Sequence, residues 1–130
     1  PDPQMPEGAS PVMSCPAFIA KSFAVRTAAH FAHLSSQSYA EHVALDEFYS
    51  GLLDLVDKYA EVYMGLMKRI AKFPNAPVPA ADEPIQLLKD YLDLVRDEMS
   101  EDHESQALLN ILAEIEELTA RSVYKLENLK

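Results

Sequence analysis

An all-α four-helix bundle is the architecture that three observations predict for this chain. Glycine is scarce, at three in 130 residues, while Ala, Leu, Glu and Lys are common, which favours helices over strands. Apolar residues recur at three- and four-residue intervals along four separate stretches, and no segment alternates with the period of two that a half-buried strand needs. Polar or proline-rich breaks separate these stretches, and 130 residues suit one domain with a single modest core.

Residues 1–16 carry Pro1, Pro3, Pro6, Pro11 and Pro16 and read as an extended Pro-rich arm without a core of its own. The bundle then occupies 17–130. Its first helix starts near Pro16, because proline suits the first helical turn. It runs through Phe18, Phe23, His30 and His33 to the polar stretch Leu34-Ser35-Ser36-Gln37. Ser38-Tyr39-Ala40-Glu41 reads as a capping box, with Ser38 as N-cap and Glu41 reaching back. The second helix follows without a break to about Lys72, longer than the usual globular helix. Residues 73–83 are kept from helix by three prolines. A third helix starts near Pro84 and carries Ile85, Leu88, Tyr91, Leu92, Val95 and Met99 at helical spacing. An acidic turn, Ser100 to Glu104, precedes a last helix with Leu108, Ile111, Leu112, Ile115, Leu118 and Val123 on its apolar face.

Charge and cysteine usage narrow the function classes. The formal net charge is −10, and a field of that sign repels nucleic acid and gathers cations. The arm holds Asp2 and Glu7 but no Lys or Arg before Lys21, the opposite of a DNA-grasping tail. No apolar run is long enough for a bilayer, and no stretch has the order of a signal peptide, so neither membrane nor DNA is an expected partner. Cys15 is the single cysteine, which fits a free buried thiol in a reducing, cytoplasmic compartment.

The residues with chemistry are His30, His42, Asp46, Asp57 and Glu61. On a wheel of about 100° per residue, starting with His42 at zero, Asp46 falls near 40°, Asp57 near 60° and Glu61 near 100°. The apolar residues Phe48, Leu52, Leu55, Tyr59, Val62 and Leu66 centre near 250° by the same rule. The stripe therefore points away from the chain's own core. Along the axis, the pairs His42/Asp46 and Asp57/Glu61 are separated by roughly 20 Å of helix. One straight helix cannot bring both to one metal. An antiparallel copy of the helix, crossing near Ser50 and Leu53, brings each pair against the other and makes two equal sites by symmetry. Imidazole with carboxylate suits iron, and Zn or Mn fits the same ligands. A bridging carboxylate such as Glu61 can span two metals about 3.5–4 Å apart. His33, about 60° from His30 on the wheel, reads as a packing or water-bound residue, and His103 as a solvated turn residue. The tyrosines Tyr39, Tyr49, Tyr59 and Tyr63 read as core or interface, with Tyr49 beside the stripe as an electron relay.

The intervals of 12, 4, 11 and 4 residues between these five positions, with Phe48-Tyr49 and Asp57-Lys58-Tyr59-Ala60-Glu61, resemble those of the Dps family, the ferritin-like mini-ferritins named as DNA-binding proteins from starved cells. Residues 105–127 are similar to that family's last helix. The resemblance implies a ferritin-like four-helix bundle assembled as a homo-oligomer, with an essential two-fold dimer and a hollow dodecamer. It implies a ferroxidase oxidising Fe(II) with hydrogen peroxide or oxygen and storing the ferric product. Its di-iron site would take His30, His42 and Asp46 from one chain and Asp57 and Glu61 from the two-fold mate. It also places the acidic turn Glu101, Asp102 and Glu104 at an iron-entry pore. Phe31 stands where the family has Trp, and the Pro-rich loop 73–83 replaces the family's short inter-helix segment. Compact chains of this type also resemble ferritin-like proteins of bacteriophages, which sets a structural role in a virion, with metal stabilising the dimer, beside the enzymatic one.

Overall fold

Helix pairs joined by short turns lie side by side and antiparallel, and one long connection links the two pairs. The computed structural model describes residues 15–101, 103 and 105–130. The Pro-rich arm, apart from Cys15 and Pro16, and the acidic residues Asp102 and Glu104 lie outside the described residues. Four helices follow in order: α1 Cys15–Ser35, α2 Tyr39–Leu66, α3 Pro84–Met99 and α4 Gln106–Asn128. No strand occurs among the described residues.

Helix α2 packs on α1 and α4, and α3 packs on α4 and more lightly on α1. The pairs α1/α4 and α2/α3 therefore lie across the diagonals. Ion pairs fix the directions. Lys58 meets Glu114 and Lys125 meets Glu47, so α4 runs antiparallel to α2. Lys89 with Glu127 and Arg96 with Glu116 set α4 antiparallel to α3. It follows that α2 and α3 run parallel, and the start of α3 lies by Glu41 in the first turn of α2. The connection 67–83 must therefore travel the length of the bundle. It does so on the α1–α3 side, where Ala76, Pro77 and Pro79 pass Lys21, Val25, Leu87 and Leu94 around a cavity of about 300 Å³.

The core is made by the faces that the periodicity marks. Phe18 and Ile19 of α1, Leu45, Phe48, Leu52, Val56 and Tyr59 of α2, Leu88, Tyr91 and Val95 of α3, and Leu112 and Ile115 of α4 are fully or almost fully buried. Each such side chain stabilises the fold by about 1.5–3 kcal/mol before entropy is counted. Three ring contacts knit the helices: Phe18 edge-on to Tyr59 at 5.6 Å, Phe18 stacked with Tyr91 at 6.4 Å, and Phe48 edge-on to Tyr91 at 6.2 Å. The Tyr91 hydroxyl is satisfied by Ser22 Oγ at 2.7 Å. Gly51 lets α2 close on α4, since a Cβ there would meet Leu118 Cδ2 at 3.1 Å.

Two local expectations change. Helix α2 stops at Leu66 rather than near Lys72. Helix α1 begins at Cys15, which lies against Tyr59 and Tyr63. Among the described residues, Met64 is the last of α2 to pack on the core, and a helix end without packing frays. Leu66 is correspondingly exposed rather than a core residue. The capping box is half formed. Ser38 Oγ accepts from the Glu41 backbone N–H at 3.2 Å. The Glu41 carboxylate takes the Ser36 hydroxyl at 2.6 Å, and Ser36 Oγ in turn accepts from the Ser38 N–H at 3.2 Å. The serine thus relays the contact that Glu41 makes directly in a full box.

Candidate functional site

The short turn 36–38 brings the end of α1 against the start of α2 and collects His30, His33, His42, Tyr49, Asp46 and Arg26. His33 and His42 stack at 3.7 Å between ring centroids, 21° from parallel. His33 Nδ1 donates to the His42 carbonyl at 2.8 Å, and His42 Nδ1 donates to the His33 carbonyl at 2.9 Å. Because carbonyls only accept, both imidazoles carry their proton on Nδ1, and Nε2 is the nitrogen left to accept or ligate when the ring is neutral. His30 stacks on Tyr49 at 4.1 Å, and the Arg26 guanidinium lies 5.4 Å from the centre of the Tyr49 ring. Arg26 Nε is buried without a hydrogen-bond partner.

Asp46 accepts from Ser50 Oγ at 3.1 Å and lies beside the Tyr49 phenol. Partial burial, then the neighbouring Asp46 carboxylate, push the Tyr49 phenol above its ordinary value, with Arg26 pulling the other way. Asp46, Ser50, Leu53, Asp57 and Glu61 form an exposed line down α2, with His42 half-buried at its head. Among the described residues, none of the three acids joins an ion pair. Leu53, at 40 % exposure, is the large apolar residue in the middle of the line. The structure thus groups His30, His42 and Asp46 at one end of the stripe and leaves Asp57 and Glu61 far along the helix. Among the described residues, no three His, Cys, Asp or Glu side chains of one chain converge to hold a metal ion.

His33, expected as a packing or water-bound residue, is indeed buried and packed, and it also bonds the His42 backbone, which the sequence reading did not foresee. An imidazole nine residues from another, across a helix–turn–helix junction, was the available signal. His103 also differs from expectation. Rather than being solvated, it is half-buried and bonds the Glu98 carbonyl through Nε2 at 2.7 Å, which caps the end of α3. Beside it lies a second polar group at the far end of the bundle: Cys15, Tyr59 and Glu98. Burial chiefly raises all three: the Cys15 thiol to about 11, the Glu98 carboxyl upward from 4.5, and the Tyr59 phenol far above its usual range. The fully buried Tyr59 hydroxyl is aimed at Cys15 and Glu98 but completes a hydrogen bond of good geometry with neither. Of the acidic turn, Glu101 is half-buried near Glu98. The expected pore residues Asp102 and Glu104 lie outside the described residues.

No helix among the described residues is long and apolar enough to cross a membrane, and no solved structure matches the fold. The chain is 38 % identical over 60 residues to an uncharacterized 14.6 kDa protein from the mobD-ri intergenic region of Enterobacteria phage T4. That match covers 46 % of this chain and 45 % of the phage protein, so the chain spans just under half the length of that curated relative. The family model that matches is not a Dps or ferritin-like one, and the relative is not described as one, which corrects the membership that the five intervals suggested. The physical reason is that steps of 4, 11 and 4 are one, three and one turns of helix. Any long helix with one uncovered polar face repeats them, whatever its family. Residues 33–126 match the model of a family of unknown function, DUF5856, and the chain belongs to that family.

Proposed function

We propose that this protein is a two-fold symmetric helical bundle that binds Fe(II) between subunits and oxidises it. The observation that carries the reading is the His42 ring: its Nδ1–H is spent on the His33 carbonyl, as in metal-ligating histidines generally. Nε2 is then left as its donor at the head of a line of acids without ion pairs. An antiparallel copy of α2, crossing at Ser50 and Leu53, places Asp57 and Glu61 of the second chain against His30, His42 and Asp46 of the first. Without a cation, the three carboxylates per site repel, so the dimer is coupled to metal by mass action. In the reaction, two Fe(II) each lose one electron. One hydrogen peroxide accepts both electrons with two protons, its O–O bond breaks, and two waters leave. The carboxylates favour the harder Fe(III) product over Fe(II).

The test is anaerobic Fe(II) oxidation by hydrogen peroxide, followed by ferric absorbance. His42→Ala and Asp57→Ala are each expected to lower the rate to background. A mixed dimer of the two variants places both lesions in one site and leaves the other intact, so it recovers activity. A verified mixed dimer without recovery overturns the shared site. The relationship to a phage protein favours one second reading, a structural dimer stabilised by metal. Metal-dependent dimerisation without any turnover decides for it.

A further inference from the structure

We propose that His33 is the positioning residue of this half-site: its Nδ1–H bond to the His42 carbonyl closes a clasp that holds His42 in its Nδ1–H tautomer. The inference rests on the metal reading only in its second half, since the clasp belongs to the chain alone. A histidine side chain free in water prefers its proton on Nε2, so the Nδ1–H form of His42 has to be imposed. What imposes it is the meeting of the His42 ring with the His33 carbonyl at 2.9 Å. That meeting depends on the register between the last turn of α1 and the first turn of α2. The register is set by the reciprocal bond at 2.8 Å, made from a buried ring stacked 3.7 Å from its partner. Only three residues, 36–38, separate the helices; beside the clasp, the Ser36 hydroxyl donates across them to the Glu41 carboxylate at 2.6 Å, and the Ser36 N–H closes the end of α1 on the His33 carbonyl at 3.4 Å. The same His33 carbonyl is thus the shared acceptor of the turn and of His42. With its proton fixed on Nδ1, His42 offers Nε2 without first changing tautomer.

Two variants separate this role from packing. His33→Asn keeps an N–H donor near the Nδ1 position and removes the ring. His33→Phe keeps the ring volume and removes the donor. Imidazole tautomers are read by long-range ¹H–¹⁵N NMR on the metal-free protein, above the pH at which the rings are charged. His42 is expected as Nδ1–H in the native protein and in His33→Asn, and as Nε2–H or an average in His33→Phe. Co(II) affinity by calorimetry should fall about 10–100-fold in His33→Phe and much less in His33→Asn. If His33→Phe keeps the Nδ1–H form, or His33→Asn loses it while folded, the clasp is wrong and His33 is a packing residue. If the native protein binds no Co(II) but shows the expected tautomers, the metal reading fails and the clasp stands.

Discussion

The two ends of the bundle both gather polar side chains but treat them differently. At the α1–α2 turn, the ring N–H groups of His33 and His42 find carbonyls, and the cluster opens onto the exposed face of α2. At the opposite end, Cys15, Tyr59 and Glu98 are shut in by α1, α2 and α3, and the Tyr59 hydroxyl is left without a partner. Groups held in one protonation pattern beside solvent suit binding and exchange. Groups whose charged forms burial disfavours suit a neutral, structural plug. Under the proposed function, chemistry belongs to the first end and stability to the second.

The largest test of that contrast compares two buried tyrosines. Tyr59→Ala removes a core ring and should cost about 3–5 kcal/mol in denaturant unfolding. Tyr59→Phe removes only an unsatisfied hydroxyl and should be neutral or slightly stabilising. Tyr91→Phe strands Ser22 and should cost about 1–2 kcal/mol. A large loss in Tyr59→Phe would show that the hydroxyl is bonded after all and dissolve the difference between the ends.

Glu98 gives a smaller, pH-dependent test. Burial holds its folded carboxyl above 4.5, so the unfolded chain releases the proton first and stability falls as pH rises from about that value through the folded one. Glu98→Gln removes this loss. Its melting temperature should match the native protein's at acid pH and exceed it by about a few degrees at neutral pH. A native protein that is favoured instead at neutral pH would mean that Glu98 is charged and paired, making that end a second chemical site.

Least is expected from the surface. Lys125→Ala breaks the partly exposed pair with Glu47 and should change stability by less than about 1 kcal/mol, and less still at high salt. A greater effect would mean that exposed pairs, not the core, hold α4 on α2.

Most of the helical architecture was legible because each helix has one continuous apolar face, and Pro84 and Ser38 mark starts that local chemistry enforces. The end of α2 was not, because Met67 to Lys72 contain no breaker, and the helix stops where its contact with the described core ends, at Met64. The stripe of His42, Asp46, Asp57 and Glu61 was legible as an uncovered face, since its wheel angle depends on the backbone alone. Its family meaning was not, since helical repeat imposes the same intervals on unrelated chains. The packing of His33 was legible but its bond to His42 was not, because a wheel describes one helix and that bond exists only once two helices meet.

The crossover of residues 67–83 has a consequence for how the molecule comes together. Each helical hairpin closes through a few residues and finds itself quickly, but neither can bury both of its faces alone. The connection makes their docking an encounter within one chain rather than between two. A flexible tether of that length supplies an effective concentration of order millimolar. A segment with little core of its own thus sets how often the two halves of the core collide.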